Sequence, residues 1–504
     1  MKKIYLLIIL LISFSVIKAQ IFEIKKPAIW IESMETSDST AILVNNNNEG
    51  IEIDELIDYK KSKINFKECI EIQSAIDPMI LNYNFEKNKE ITIFAVYKVN
   101  QDNNGVGIWA LKSDSGNVIE IGDNYLKDDN RVIDLTNSTK TKAVVNLLRY
   151  RWTKDIDSLE TYIKILGNDS LDFRGKFAEF MLFDTLLTQI ELAKMHTYFG
   201  IKYGVGINNF NYVNSSDNII WDYEKNEEYS NNIAGIGKDS LLKINQKQSS
   251  GEGGESILTI WVGELAEFNK DNPSEINELD YLIWGDNNKD FNNFLISNND
   301  DEYITNLSER KWLMECSGST VREINTNLSV YAPDIDDSLT LALVINSEAN
   351  IDFPYATSRI IYPDSVGDGV YYYYNVRWDI DSSGSDIFTF KEDSILTLDS
   401  LRSLLDNGEN NDTENNENEI LESNIESINF YPNPTNGYYN GEIILSNVSD
   451  VYISIYDENA KIIKKNRYTD NSLYTIMGFL EGKGIYFIVI ETNTDKKVYK
   501  LVVQ

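Results

Sequence analysis

The 504-residue sequence contains few of the residues on which many common binding and catalytic sites depend. It has two cysteines, Cys69 and Cys316, and one histidine, His196. Two cysteines exclude a disulfide framework and a four-cysteine zinc site, and one histidine excludes histidine-rich metal sites. Basic residues are scarce as well, since 46 Lys and Arg face 80 Asp and Glu, for a formal net charge of -34. This balance predicts no nucleic-acid partner, because phosphate binding needs concentrated positive charge.

Long apolar runs are missing except at the N-terminus. Met1, Lys2 and Lys3 make a basic start, residues 4–12 are apolar, and the small residue Ala19 precedes Gln20. This order is typical of a secretory signal peptide, here residues 1–19 with cleavage between Ala19 and Gln20. The alternative is a retained membrane anchor, for which the apolar stretch is short. The sequence therefore predicts a protein that works outside the cytoplasm.

Hydrophobic residues make up 42% of the chain and aromatic residues 12%, which excludes wholesale disorder. Most of the length consists of short β-type runs separated by Asn, Asp and Gly, so the predicted fold class is all-β. Residues 91–99 and 177–183 are the clearest strands. One helix is predicted where Thr188-Gln-Ile-Glu191 forms a capping box. His196 falls in this helix and is interpreted as a packing residue, because no nucleophile motif accompanies it.

The composition changes between residues 406 and 426, which carry eight acidic residues and no basic one. Such a segment cannot bury enough apolar surface to order itself, so we expect a solvated linker over residues 403–426. Short strands resume beyond it and predict a separate small immunoglobulin-like β-sandwich over residues 427–504. The remaining chain divides into an N-terminal domain, residues 20–205, and a middle β-rich domain, residues 206–402.

The final domain carries the most specific motifs. Its residues Pro432, Asn433, Pro434, Gly437, Asp457, Gly484 and Tyr486 follow one another in an order that resembles the C-terminal sorting domain of the type IX secretion system of Bacteroidota. The resemblance implies the secretion machinery as a partner, removal of the domain near the acidic linker, and attachment to lipopolysaccharide. The family usually has glycine where this chain has Ala460; we expect a negative φ there, which alanine tolerates.

The other two domains resemble known families more loosely. Residues 27–31, 91–99 and 175–184 resemble strands of the laminin-G/concanavalin-A-like jelly rolls of Bacteroidota surface proteins. Residues 219–222 and 282–286, together with Arg310-Lys-Trp312, resemble an uncharacterised extracellular module of the same proteins. The second resemblance implies a location, either secreted or on the outer-membrane surface, and no chemistry. The first implies more, because a jelly roll of the concanavalin-A type can be a lectin or a glycanase.

No catalytic residue is predicted. Retaining glycanases of the concanavalin-A fold carry three acidic residues on one strand, which places an acid and a nucleophile about 5 Å apart. The nearest match is Glu52-Ile-Asp54-Glu55, in which Leu56 or Ile57 occupies the place of the third acid. We interpret Glu52 and Asp54 as part of a solvated face.

Calcium is the one ion that the sequence suggests, because it favours several carboxylate and carbonyl oxygens. Asp379, Asp381 and Asp386 alternate around Gly384 and are candidate ligands, with a plain hairpin turn as the favoured alternative. The strand that contains Tyr371 to Tyr374 places two tyrosines on each face, and exposed ones could stack on sugar rings.

These features predict a secreted or cell-surface adhesin or glycan-binding scaffold without catalysis. The alternative is a secreted glycan-active hydrolase with an unusual carboxylate pair. In a third reading, the middle domain is a passive spacer.

Overall fold

The computed structural model describes residues 24–35, 41–45, 59–73, 78–85, 90–100, 105–113, 118–128, 131–134, 143–151, 159–168, 171–206, 210–295, 303–336, 339–348, 351–354, 357–394, 424–492 and 496–504. Nearly all of its regular structure is antiparallel β-sheet, so the predicted all-β class is confirmed. In these ranges no helix is long and apolar enough to cross a membrane.

The N-terminal part is a two-sheet β-sandwich. The described strands form a seven-stranded sheet, in the order β11-β6-β13-β1-β2 with β4 and β3 attached beside β13, and a six-stranded sheet in the order β10-β9-β8-β7-β12-β5. The strands run as follows: β1 (Ile29–Glu35), β2 (Ala41–Asn45), β3 (Tyr59–Ile64), β4 (Lys67–Ile72), β5 (Met79–Phe85), β6 (Glu90–Val99), β7 (Gly107–Ser113), β8 (Val118–Gly122), β9 (Tyr125–Asp128), β10 (Arg131–Asp134), β11 (Val144–Arg151), β12 (Leu159–Ile165) and β13 (Gly175–Phe183).

The two facing sides of this sandwich share one apolar core. Ile93 and Phe180 come from the first sheet, Trp109 and Ile163 from the second, and all four are fully buried. The two strands predicted most clearly are β6 and β13, which pair with each other in the first sheet. Nearly every residue of these strands is buried, because the opposite face of the sheet is covered as well.

That opposite face is covered by helix α1 (Gln189–Tyr203). The helix begins at the predicted capping box, where the Thr188 hydroxyl accepts from the Glu191 amide and the Glu191 carboxylate accepts from the Thr188 amide. It ends at Gly204, whose φ of 61° is the left-handed conformation that glycine adopts without strain. His196 is fully buried in this helix and its ring stacks on Phe210 at 4.1 Å between ring centroids, as a packing residue would.

The middle module also consists of two sheets and a short hairpin. Its strands are β14 (Tyr212–Val213), β15 (Ile219–Trp221), β16 (Asn231–Asp239), β17 (Ile244–Gln246), β18 (Gln248–Ser250), β19 (Leu258–Val262), β20 (Tyr281–Asp286), β21 (Phe294–Leu295), β22 (Leu307–Ser308), β23 (Trp312–Ser317), β24 (Thr326–Tyr331), β25 (Leu339–Asn346), β26 (Ser358–Ile361), β27 (Ser365–Gly367), β28 (Val370–Val376) and β29 (Ser385–Ser394). Short helical turns lie at Glu227–Tyr229, Gly251–Gly254, Asn269–Asp271 and Val321–Glu323.

A nine-stranded sheet packs against a five-stranded sheet in this module. The first has the order β17-β16-β20-β23-β29-β22-β21 with β25 and β26 beside β29, and the second has the order β18-β19-β24-β28-β27. Trp284, Trp312 and Phe388 of the first sheet meet Leu328 and Tyr373 of the second in the core. The four tyrosines of β28 alternate as predicted: Tyr371 and Tyr373 are buried, whereas Tyr372 and Tyr374 lie on the other face, half-buried and exposed respectively.

The sandwich and the middle module are joined by a shared apolar cluster rather than by a linker. Phe94 of β6, Phe199 of α1 and Ile283 of β20 all belong to it, and the rings of Phe94 and Phe199 lie 5.1 Å apart. Helix α1 therefore contacts both modules, and the division at residue 205 stays an interpretation.

The C-terminal domain is built from β30 (Ile425–Tyr431), β31 (Tyr438–Tyr456), β32 (Ile462–Phe479), β33 (Gly484–Glu491) and β34 (Lys496–Val503). The first half of the long strand β31 pairs with β30, and its second half pairs with β33. The two halves contribute Ile443 and Ile453 to one core, and the described strands form one five-stranded sheet. The immunoglobulin-like sandwich stays a prediction. Most of the predicted acidic linker lies outside the described residues.

Candidate functional site

The predicted sorting motifs form the turns of the C-terminal domain. Asn433 donates its side-chain amide to the Lys500 carbonyl at 2.7 Å, and its side-chain oxygen accepts from the Val502 amide at 3.0 Å. Pro432 and Pro434 flank it, each after a cis peptide bond. Gly437 has a φ of 109°, and a Cβ there would lie 2.8 Å from the Leu480 carbonyl oxygen, so only glycine fits. The first motif thus ties the start of the domain to its last strand.

Asp457 and the pair Gly484 and Tyr486 belong to two further turns of the domain. The Asp457 carboxylate accepts from the amides of Asn459 and Lys461, both at 2.9 Å, and so closes the turn after β31. Gly484 begins β33, and the Tyr486 hydroxyl donates to the Glu481 carbonyl at 2.8 Å. The motif residues have structural partners inside the domain, and their spacing reflects its turns.

The backbone conformation of Ala460 contradicts one expectation from the sequence. Its φ is +63°, in the left-handed region, and not negative as predicted. The expectation was wrong because Asp457 tightens this turn by two hydrogen bonds to backbone amides, which the sequence pattern does not reveal. Alanine therefore stands here in a strained conformation that the family's glycine would avoid.

Of the calcium candidates, Asp379 and Asp381 lie in the turn before β29, and Asp386 is the second residue of β29. Asp379 accepts from the Gly384 amide at 2.7 Å, Asp386 accepts from the Asp379 amide at 2.8 Å, and Asp381 accepts from the Ser383 amide at 3.1 Å. Burial raises the pKa of Asp386 to about 6. In the described part of the chain, no three acidic, histidine or cysteine side chains gather as metal ligands. The geometry favours the alternative of a turn, and calcium binding stays a prediction.

Two other predicted features fall outside the described residues. They are the cleavage site at Ala19 and Gln20, and the acidic run around Glu52 and Asp54.

A cleft of about 480 Å³ lies where the sandwich meets the middle module. The start of β11 and the end of α1 form one wall, and Phe210, Tyr212 and Tyr223 contribute aromatic rings. The polar part of the lining consists of Asn231, Asn232, Asn288, Glu252 and Ser230. Pockets at module boundaries that combine aromatic rings with a few polar groups are the usual form of a small-ligand site.

The cleft walls are held by contacts between distant parts of the chain. Asn65, in the turn between β3 and β4, accepts from the Ser250 amide at 2.8 Å, and its own amide donates to the Gly253 carbonyl at 2.7 Å. Gly253 also donates to the Gly204 carbonyl at 3.2 Å. A Cβ at Gly253 would lie 2.5 Å from the Ala143 Cβ, so glycine is needed at this contact. The turn that carries Glu252 is therefore fixed between the two modules.

Three residues of the cleft adopt the left-handed conformation without being glycine. Their φ angles are 51° at Asn232, 57° at Glu252 and 55° at Asn288. Asparagine tolerates this region better than glutamate does. Backbone strain of this kind clusters at ligand-binding sites, where the surrounding structure enforces it. A further feature is the buried Tyr212 hydroxyl on the cleft floor, which has no hydrogen-bond partner among the described residues.

Only one carboxylate, Glu252, lines the described walls of the cleft. A second, Asp286, lies fully buried behind the asparagines, where it accepts from the Asn232 side chain at 2.9 Å and from the Asn288 amide at 2.7 Å. Burial raises the pKa of Asp286. Because Asp286 is enclosed, the described walls of the cleft present one accessible carboxylate, whereas glycoside hydrolysis requires two.

A buried charged cluster lies beneath α1. Glu179 of β13 is fully buried, and one of its oxygens accepts from Trp30 at 2.5 Å and Tyr198 at 2.8 Å, while the other accepts from Lys202 at 3.0 Å and Tyr203 at 2.8 Å. Burial raises the pKa of Glu179, and the nearby ammonium of Lys202 opposes this. The cluster was not predicted, although a single glutamate inside the apolar run of β13 was a signal for it.

Two family models match the chain. The one described as a secretion system C-terminal sorting domain matches residues 429–504, and one described as a domain of unknown function, DUF8202, matches residues 191–383. The predicted sorting domain is thereby confirmed. The chain is a type IX secretion cargo, directed to the cell surface or the extracellular space. No matched family supports the concanavalin-A-like assignment of residues 20–205, and none is catalytic.

No curated protein matches the chain. Among solved structures, a biofilm-associated protein (BSP domain) is 9% identical, with 92% of this chain and 84% of that chain covered and a TM-score of 0.15. Dimeric latent PorU from Porphyromonas gingivalis is 10% identical, with 90% and 33% covered and a TM-score of 0.14. A β-glucuronidase from Parabacteroides merdae is 10% identical, with 35% and 26% covered and a TM-score of 0.12. TM-scores this low carry no argument about function.

Proposed function

We propose that the exported protein is a glycan-binding surface scaffold whose ligand occupies the cleft between the sandwich and the middle module. The observation that supports this most is the combination of aromatic rings and side-chain amides around a preformed cavity of about 480 Å³. Aromatic faces offer apolar area to sugar rings, and amides offer both donors and acceptors to hydroxyl groups. The net charge of -34 and the carboxylate of Glu252 favour an uncharged glycan over an anionic one.

The proposal assigns no catalysis to the protein. A retaining or inverting glycosidase needs two carboxylates that both reach the scissile bond. Glu252 lines the described cleft walls, whereas Asp286 is enclosed behind Asn232 and Asn288. We further propose that, after removal of the sorting domain near the acidic linker, the protein is either linked to lipopolysaccharide or released.

The experiment is a panel of neutral polysaccharides tested against the exported chain, residues 20–504, followed by calorimetry with the best binder. Tyr223→Ala removes a cleft ring, and Tyr331→Ala removes an exposed ring elsewhere on the middle module. Asn288→Ala is matched by Asn375→Ala, since both asparagines are exposed and both have a positive φ.

We expect each cleft variant to weaken binding about tenfold, which corresponds to about 1.4 kcal/mol, and each matched variant to leave it unchanged. Retention of no polysaccharide by the unaltered protein would reject the proposal and favour a passive spacer. Release of reducing ends that Glu252→Gln abolishes would instead establish the hydrolase.

A further inference from the structure

The sorting domain contacts the middle module through a small set of charged and aromatic side chains. Lys465 of β32 lies 2.8 Å from the Tyr362 hydroxyl and 3.3 Å from the Asp393 carboxylate. Tyr362 donates to the same carboxylate at 2.5 Å. Lys461 lies 3.9 Å from Asp364 at the edge of this contact. One domain thus supplies the lysines and the other supplies the acids.

Asp393 is well suited to hold a lysine. It is half-buried near the end of β29, and Lys391 of its own module lies 3.2 Å away. Although burial raises its pKa, the charges of Lys465 and Lys391 outweigh this and lower the pKa to about 2. The carboxylate is therefore ionised at any physiological pH, and Tyr362 orients it.

In the described part of the chain, the contact consists of a few partly exposed ion pairs and hydrogen bonds. It surrounds an open cavity of about 480 Å³, lined by Thr340 and Val366 on one side and Tyr456 and Val489 on the other. A stable protein interface buries more than about 1,000 Å² with close complementarity, and partly exposed ion pairs contribute about 0–1 kcal/mol each. The predicted acidic linker, residues 403–426, acts as a flexible tether between the two domains. A tether favours association, because it raises the effective concentration of the two partners to the millimolar range.

We propose that the uncleaved chain docks the lysine-bearing face of its sorting domain on the Tyr362–Asp393 surface of the middle module, and that the tether maintains this docking. Cleavage of the tether then releases the sorting domain. Docking holds Lys465 partly buried while the chain is intact, and release uncovers an acidic surface with a tyrosine on the mature protein. The occupant of this surface is thus the chain's own C-terminal domain.

The first test is small-angle X-ray scattering of the intact chain, residues 20–504, at low salt and at high salt. The variant Lys465→Glu reverses the central charge. Its control, Lys464→Glu, makes the same change at the neighbouring exposed residue of β32, for which no contact is present in the described part of the chain. The double variant Lys465→Asp/Asp393→Lys exchanges the two charges and restores an opposite-charge pair. It shows whether a loss of compactness in Lys465→Glu is due to charge or to misfolding.

We expect the unaltered chain and Lys464→Glu to be compact at low salt, and Lys465→Glu to show a larger radius of gyration. High salt should expand the unaltered chain in the same way, because ions screen the contact. The charge exchange should restore compactness. Equal radii for the unaltered chain and Lys465→Glu at low salt would overturn docking by this contact.

The second test is an engineered protease site in the tether, cut in the folded chain and followed by gel filtration at about 10 μM, far below the effective concentration that a tether supplies. Separation of the two fragments at low salt is expected. Co-elution of the fragments would overturn the role assigned to the tether, since the contact alone would then suffice.

Discussion

Substitution of Lys202 by methionine should destabilise the junction between the sandwich and α1 far more than its single charge would suggest. Methionine retains an apolar stem of similar length but removes the ammonium that lies 3.0 Å from Glu179 and 2.6 Å from Glu32. Glu32 is partly exposed and can be solvated, whereas Glu179 is fully buried and loses its ion pair with Lys202. The cost therefore comes from Glu179.

The size of the effect follows from this burial. With an effective dielectric constant of about 20, two unit charges at the 3.0 Å separation of Lys202 and Glu179 interact by about 5 kcal/mol. Removal of one partner from a buried ion pair typically costs about 3–5 kcal/mol. We expect the midpoint of thermal unfolding to fall by about 10 °C, given about 2–4 °C per kcal/mol for a domain of this size.

The matched control is Lys98→Met. Lys98 of β6 forms an ion pair of 2.7 Å with Glu255, which also joins the sandwich to the middle module, but there the carboxylate is about half exposed. An ion pair of this kind contributes about 0–1 kcal/mol, so the control should shift the midpoint only slightly. Both variants lose one positive charge, and a difference between them isolates the effect of burial.

The assay is differential scanning calorimetry of the exported chain at pH 8 and pH 5. Burial raises the pKa of Glu179 in the folded state, and the loss of Lys202 should raise it further. The folded variant then takes up a proton as the pH falls, so its deficit relative to the unaltered protein should shrink at pH 5. Equal shifts for Lys202→Met and Lys98→Met, or a deficit that does not depend on pH, would refute the reasoning.

Four further predictions rest on single positions. Thr188→Ala should cost about 1 kcal/mol in denaturant unfolding by removing the helix cap, and no loss would mean that the cap is redundant. Ala460→Gly should stabilise the C-terminal domain by about 0.5–1 kcal/mol, because glycine adopts the φ of +63° without strain, and a loss of stability would contradict this. Calcium should leave the thermal midpoint unchanged, and a rise that Asp381→Asn abolishes would instead support the predicted site. The pKa of Asp393 is lowered to about 2 in the fold, so docking through this carboxylate should be complete above about pH 5 and be lost as the pH falls towards 2. A radius of gyration that stays constant down to pH 2 would show that docking does not depend on the charge of Asp393.

Local chemistry made several features predictable from the sequence. The helix start at Thr188 depends on residues three positions apart, and the alternation from Tyr371 to Tyr374 depends on the two-residue period of a strand. Part of the sorting motif depends on a turn whose partners lie a few residues apart, as with Asp457 and Lys461. Such signals survive in the linear sequence because neighbours along the chain create them.

The tertiary structure alone decided the cleft, the buried charge of Glu179 and the docking of the sorting domain. Asn65 and Ser250 form a hydrogen bond although they are 185 positions apart, and Lys465 and Asp393 are 72 positions apart. No period or spacing encodes these pairs. The first depends on how α1 packs the sandwich and the middle module into one apolar cluster, and the second depends on how the C-terminal domain packs on the middle module. The backbone angle of Ala460 is set inside its own turn, and the sequence pattern did not show which amides the Asp457 carboxylate accepts from. The sequence by itself thus determined where the protein is exported, and the packing of its modules determined what surface it presents there.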